Sequence, residues 1–390
     1  VHLYKDTTNI TTYTNTTTYT SSGDTYTFNI TVPSSADHLD FYFEANDTAG
    51  NNGTSISYYS FVNPPQFDDP VLVPSTPTTG DSLLVTVDVT DNNNLNKSAV
   101  VLHYDDDGTW YESSMSNTMG DTYTTTISIE SDSTSFSYYF TAKDHSNITG
   151  KTSTYSLSVN DNDDPSLDAD DSPTSGTTGD TFIFDISASD NLVVNDVTVT
   201  WSHGSLSGTD VSMDDDGDGT WSLDVVLDHY SVADMSYTVT VHDGAGNTDV
   251  GSGQTVSVTD NDIPSLDFDS SGSPTTGDSF NFIIGMDDNI DGAQVNEVHV
   301  LYTYGSNWSA AMNRSMTWNS VDSTWEYGIT VPDALAPLRY NITARDDAGN
   351  WLTSTGHSRV VTDNDLPSLD SDNSDPTAYT GDGFNFTCDV

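Results

Sequence analysis

Cysteine occurs once in this chain, at Cys388, so no disulfide can form within it and no cysteine-based metal site exists. Basic residues are almost as scarce: 8 lysines and arginines face 60 acids, for a formal charge of −52. That balance repels nucleic acid and anionic lipid, and neither is an expected partner. No apolar run approaches the roughly 20 residues that a membrane-spanning helix needs, and no signal-peptide pattern opens the sequence. Glutamate is limited to Glu44, Glu112, Glu130, Glu297 and Glu326, so the acidity is aspartate. Aspartate favours turns and is a short oxygen ligand for calcium, whereas a merely salt-adapted surface draws on both carboxylates. Catalytic signatures are missing too: there is no Gly-x-Ser-x-Gly, no His-Glu-x-x-His and no phosphate-cradling glycine loop, and the nine histidines are scattered singly. Paired acids carry no specificity where nearly every loop is acidic, so no enzyme activity is expected.

What is present is repetition. Thr79-Gly80-Asp81 returns as Thr178-Gly179-Asp180, Thr276-Gly277-Asp278 and Thr380-Gly381-Asp382, about a hundred residues apart. Asp161-Asn162-Asp163, Asp260-Asn261-Asp262 and Asp363-Asn364-Asp365 keep the same beat, each two residues before a proline (Pro165, Pro264, Pro367). A third phrase, Asp-x-Ala-Gly-Asn, spans Asp47 to Asn51, Asp243 to Asn247 and Asp346 to Asn350, with a degenerate copy from Asp144 to Asn147. A string of similar small domains follows, each large enough for its own core. The boundaries fall at 1–62 (the later part of a domain), 63–160, 161–259, 260–362 and 363–390 (the first two strands of a further one).

After each Thr-Gly-Asp the apolar residues alternate: Leu83, Val85, Val87, Val89; Phe182, Phe184, Ile186, Ala188; Phe280, Phe282, Ile284, Met286; and Phe384, Phe386, Cys388, Val390. Period two means a strand with one buried face. Val197, Val199 and Trp201 match Val298, Val300 and Tyr302, and Trp221, Leu223, Val225 and Leu227 match Trp325, Tyr327, Ile329 and Val331. Trp201, Trp221 and Trp325 are thereby expected in cores, which leaves Trp308 and Trp351 exposed. With Gly, Pro, Asn and Asp between the strands, the fold class is all-β, a tandem array of antiparallel β-sandwiches.

This pattern resembles the immunoglobulin-like repeats of bacterial and archaeal surface proteins, and the Asp-Asn-Asp-x-Pro junctions are similar to cadherin-type linkers. The resemblance covers the whole chain and implies an extracellular, cell-surface setting. It lacks the usual disulfide between the second and sixth strands: Val87, Ile186 and Ile284 stand where Cys388 stands, opposite Phe43, Phe140, Val239 or Ile342. Cys388 is therefore expected to be a small buried hydrophobe.

The two ends complement one another. Val1-His2-Leu3-Tyr4 aligns with Val101-Leu102-His103-Tyr104 of a third strand, and Val390 aligns with Val89 at the close of a second. Either the polypeptide continues, or residues 363–390 of one chain complete residues 1–62 of the next by donor-strand, head-to-tail self-assembly into a filament. In the second case Phe384, Phe386 and Cys388 pack opposite Tyr26, Phe28, Ile30, Phe41 and Phe43.

In the immunoglobulin-like fold the linker, the loop after the second strand and the last hairpin loop meet at one pole. For the third repeat these carry Asp161, Asn162 and Asp163, then Asp190 and Asn191, then Asp243. For the fourth they carry Asp260, Asn261 and Asp262, then Asp287 and Asp288, then Asp346 and Asp347; Asp363 and Asp365 begin the next set. Carboxylates so gathered can supply the six to eight oxygens of Ca²⁺, which would fix the angle between neighbouring domains. Plain turn chemistry with solvated acids is the alternative. The second repeat has Asn63-Pro64-Pro65 as its linker, which leaves Asp91 and Asp144 without linker acids, so its joint is expected to be poor in metal and stiffened by proline. Asp214-Asp215-Asp216-Gly217-Asp218-Gly219 imitates an EF-hand opening, but Val225 stands where the bidentate Glu belongs, and a hairpin is expected there. Asn-x-Ser/Thr sequons at Asn9, Asn15, Asn29, Asn46, Asn52, Asn96, Asn147, Asn307, Asn313, Asn341 and Asn385 allow a glycoprotein without requiring one. The expected role is a calcium-stiffened surface filament, stalk or lattice; the rivals are an adhesin or carbohydrate-binding protein, with glycans or another cell surface as partner, and the spacer of a secreted hydrolase.

Overall fold

The computed structural model describes residues 2–5, 8–12, 19–22, 25–28, 38–46, 48–60, 63–91, 95–290, 295–368 and 370–389, the side chains before 48 and at 55–60 excepted. These residues form strands and one short 3-10 turn, Trp308–Ala310. No helix among them is long and apolar enough to cross a membrane. The chain makes two compact units: Val1–Ser166 with Ser189–Asp196 and Val241–Asp249, and Leu167–Ala188 with Val197–Thr240 and Val250–Val390.

In the first unit, His2–Lys5, Thr8–Thr12, His38–Asn46 and Asn52–Ser60 share one antiparallel sheet. The facing partners named for the composite sandwich lie outside the described side chains. The second repeat has two sheets. One orders Thr109–Ser114, Val101–Asp106, Ser135–Lys143 and Thr149–Lys151; the other orders Ser116–Met119, Thr122–Ser128, Ser82–Thr90 and Gln66–Phe67. The alternation in Ser82–Thr90 decides which face is inside: Leu83, Val85, Val87 and Val89 are buried and join Leu102, Tyr123, Phe136 and Phe140 in one core. Each such side chain contributes about 1.5–3 kcal/mol of burial, so the cores, rather than the acidic loops, carry stability.

In the second unit, Thr181–Ser189 buries Phe182, Phe184, Ile186 and Ala188 and pairs with Thr220–Val226, whose Trp221 is buried. The facing sheet runs Ser175–Thr177, Gln254–Thr259, Met235–Asp243, Val194–His203 and Leu206–Ser212. Here Trp201 departs from expectation and is only half-buried, because its indole lies against Gly208 of the adjacent edge strand. Asp214–Gly217 pairs with Thr220–Val226 through a turn in which Gly217, Asp218 and Gly219 take positive φ, the hairpin that the sequence implies. In the fourth repeat Ser279–Asp287 and Thr324–Thr330 face Glu297–Tyr304, Leu338–Arg345 and Trp351–Arg359, with Phe282, Ile284, Val300, Tyr340 and Ile342 in the core. A buried tyrosine ties the sheets together in both repeats: Tyr237 donates to Asp170 Oδ2 (2.7 Å), and Tyr340 donates to Asp269, which Arg359 also holds.

The last segment corrects an expectation. Among the described residues only Ser371–Asp372 and Cys388–Asp389 pair there, Phe386 is 88% exposed and Cys388 is exposed. The alternation of Phe384, Phe386 and Cys388 is real, but a two-stranded ladder offers no second sheet to bury it.

Candidate metal centre

The two repeated phrases turn out to be partners. Parallel bridges set Thr78 beside Asn160 and Thr275 beside Thr362, and Ser175–Thr177 pairs in parallel with Ser257 to Thr259. The next residue of each first phrase, a buried threonine, therefore meets the acidic phrase. Thr79 Oγ1 lies 3.1 Å from Asp161 Oδ1 and 2.7 Å from Asp163 Oδ2. Thr178 repeats this with Asp260 (3.1 Å) and Asp262 (2.8 Å), and Thr276 with Asp363 (3.1 Å) and Asp365 (2.9 Å). The middle asparagines donate to the acid that ends the first phrase: Asn162 to Asp81, Asn261 to Asp180 and Asn364 to Asp278. Gly80, Gly179 and Gly277 make the turn possible, with φ of 66°, 70° and 69°.

Beyond this latch the first linker acid belongs to a second assembly. Asp161, Asp190 and Asp243 each present a carboxylate oxygen within 4.8 Å of the others, and so do Asp260, Asp288 and Asp346. Two oxygens that share a Ca²⁺ at about 2.4 Å are at most about 4.8 Å apart, so both trios fit that ion. Local hydrogen bonds aim them. Asp190 Oδ2 accepts from the N–H groups of Leu192 (3.0 Å) and Val193 (2.9 Å), which leaves its buried Oδ1 with no hydrogen bond. Asp243, 4% exposed, accepts from the backbone of Ala245, Gly246 and Asn247 and from Asn247 Nδ2. Asp346 is held in the same way by Gly349 and Asn350.

Asn191 and Asn289, one step past Asp190 and Asp288, complete the picture. Asn191 Nδ2 donates to Ser131 O (2.6 Å) and lies 3.3 Å from Asp161 Oδ1 and 3.2 Å from Asp163 Oδ2. Asn289 Nδ2 reaches His229 O (2.8 Å), Asp260 Oδ1 (3.2 Å) and Asp262 Oδ2 (3.0 Å). Each amide thus reaches back to the preceding repeat, while its Oδ1 is buried without a partner. The electrostatics are those of a site short of positive charge. Burial, then the carboxylates of Asp260 and Asp346, push Asp288 up to about 6. No lysine or arginine pairs with any of the six acids among the described residues. A cavity of about 530 Å³ opens beside Asp161, lined also by Leu192, Val193 and Ala245.

Of the twelve residues singled out in the sequence, Asp161, Asp190, Asp243, Asp260, Asp288 and Asp346 form the trios. Asn162, Asp163, Asn261, Asp262, Asp363 and Asp365 serve the latch, and no trio is found at Asp363 among the described residues. Asp287 and Asp347 are exposed outside the second trio. Asn289 and the threonines were missed, although the Asp-Asn pair at 288–289, matching 190–191, and the shared beat of the two phrases were signals for them.

No protein-family model matches the chain, and no curated protein matches it. Solved structures of similar fold include an I-band fragment of titin (14% identity, TM-score 0.41, covering 78% of this chain and all of the fragment). A tetra-tandem repeat from the extending region of a large adhesion protein is similar at 16% identity and TM-score 0.36, covering 92% of this chain and 90% of that one. A Ca²⁺-stabilised, ice-binding adhesin of an Antarctic bacterium is similar at 15% identity and TM-score 0.28, covering 85% and 82%.

Proposed function

We propose that this chain is a non-enzymatic structural protein of the cell exterior, part of a filament, stalk or lattice, in which Ca²⁺ locks successive immunoglobulin-like sandwiches (63–160, 161–259, 260–362) at their joints. One observation carries the reading: the same carboxylate trio recurs beside the same latch at the start of the third and of the fourth repeat. Each trio draws one acid from the linker and two from loops of the repeat that follows, so an ion held by all three ties the linker to that repeat. Asn191 and Asn289 then carry the tie to the repeat before. Without an ion, like charges this close repel by about 3–4 kcal/mol per pair at an effective dielectric of 20, and the joint loosens. Small-angle scattering of the chain with calcium and with chelator tests this: a longer, stiffer particle is expected with calcium, strand content being equal, and an unchanged maximum dimension refutes it.

A second reading, glycan binding by an adhesin, is favoured by one surface. Trp110 is 51% exposed, 5.3 Å from the Tyr139 ring, which carries Lys151 Nζ 3.8 Å from its centre. Trp308 (40%) and Trp351 (48%) are exposed as the sequence implies. Binding on a glycan array that is lost in Trp110→Ala supports it; no binding by the parent chain removes it.

A further inference from the structure

Asp91 and Asp144 stand in the second repeat where the loop acids of the trios stand in the next two. Asp91 follows Ser82–Thr90 as Asp190 follows Thr181–Ser189 and Asp288 follows Ser279–Asp287; Asp144 follows Ser135–Lys143 as Asp346 follows Leu338–Arg345. A bridge between Leu95 and Asp144, with Asn96 N donating to Lys143 O (2.9 Å), sets Leu95 and Asn96 alongside the end of Ser135–Lys143. Asp144 is 0% exposed, and its Oδ1 accepts from Ile148 N (2.8 Å). Its Oδ2 makes no hydrogen bond. The reason lies in the degenerate hairpin loop. In the other two repeats an asparagine four residues on caps that oxygen, Asn247 at 2.7 Å and Asn350 at 2.8 Å; Ile148 occupies the place here. Both oxygens of Asp91 are likewise buried and have no hydrogen-bond partner among the described residues. Three carboxylate oxygens are therefore closed off from water with no donor among the described residues, a condition that calls for a cation. No lysine or arginine pairs with either acid among the described residues.

We propose that Asp91 and Asp144 form a third divalent-cation site, of calcium size, which fastens the end of Ser82–Thr90 to the end of Ser135–Lys143 without engaging the linker. The occupant's identity rests on the calcium reading of the two trios; the pair of sealed carboxylates does not. With two acids instead of three, the ion keeps more of its waters and binds more weakly than at the trios.

The chain, stripped with chelator, is titrated with Ca²⁺ in a calorimeter and weighed by native mass spectrometry. Three ions are expected for the parent, two for Asp91→Asn, and one for the double variant Asp190→Asn/Asp288→Asn. Asp144→Asn is a second probe of the same site, with circular dichroism to confirm folding; Asp91→Asn keeps the side chain's shape. A parent that binds two ions, with the count unmoved by Asp91→Asn, overturns this inference and leaves the trios standing. A third ion that survives both Asp91→Asn and Asp144→Asn overturns the assignment to these residues. A parent that binds none overturns both readings.

Discussion

The pole of the second repeat and those of the third and fourth are built on the same strand ends, and they differ in what the linker contributes. At Asp161 and Asp260 the linker brings a carboxylate to the two loop acids, so one cluster belongs to two consecutive segments. Before the second repeat the linker brings Asn63-Pro64-Pro65, and Pro65 is buried close against Gly150, where an added Cβ would lie 2.2 Å from Pro65 O. On the proposed reading the first kind of joint would be held by an ion and hydrogen bonds, whereas the linker before the second repeat is seated by shape on that repeat's own strand Thr149–Lys151. Charge converging on a point can be switched by the medium, whereas a proline seated on a glycine cannot.

The comparison is broken most forcefully by removing calcium. At 100 times its dissociation constant each ion adds about 2.7 kcal/mol to the fold that binds it. Chelator is therefore expected to lower the unfolding midpoints of the third and fourth repeats most, and Asp288→Asn should reproduce the loss for the fourth alone; equal midpoints with and without calcium refute the ion-held joint. Next in size is Gly150→Ala, which leaves the two trios untouched but forces Pro65 away from its seat, at about 1–3 kcal/mol in denaturant titration. A smaller effect, about 1–2 kcal/mol, is expected for Thr178→Val, which deprives Asp260 and Asp262 of the hydroxyl between them and leaves them Asn289; Thr178→Ser should restore it. The smallest is a pH effect in chelator. Asp288 is raised to about 6, so between about 4 and 6 the folded fourth repeat binds more protons than the unfolded chain does. Its stability should rise as the pH falls through that window and be lost again as the pH returns above 6. Asp288→Asn should flatten this slope, and a slope of opposite sign refutes the raised value.

How far the sequence could be read follows the range of the interactions. The alternation of Phe182, Phe184, Ile186 and Ala188 is local and was carried straight into a buried face. Asp190 and Asp243 could be placed because they end strands whose pattern was visible. In the fourth repeat the acids after the second strand read as Asp287 and Asp288; the strand runs through Asp287, and Asp288 with Asn289 stands where Asp190 and Asn191 stand. The latch was hidden because Thr79 and Asp161 are 82 residues apart, Thr178 and Asp260 again 82, and Thr276 and Asp363 87, distances that no local window spans. Cys388 and Phe386 show the converse limit, since their alternation names a face without saying what covers it.

The parallel pairing that positions the latch also decides how a repeat would carry load. Ser175–Thr177 runs in the same direction as Ser257 to Thr259, and the contacts of Thr78 with Asn160 and of Thr275 with Thr362 have the same sense. A chain drawn at both ends pulls the first and last segments of a repeat in opposite directions along their common axis. The bonds between them are then sheared together instead of being peeled apart one by one. Thr178 lies at the end of that row, its N–H on Thr259 O (3.0 Å) and its hydroxyl between Asp260 and Asp262. Tension along the string would therefore meet the threonine's backbone and hydroxyl bonds before it reached the apolar interior.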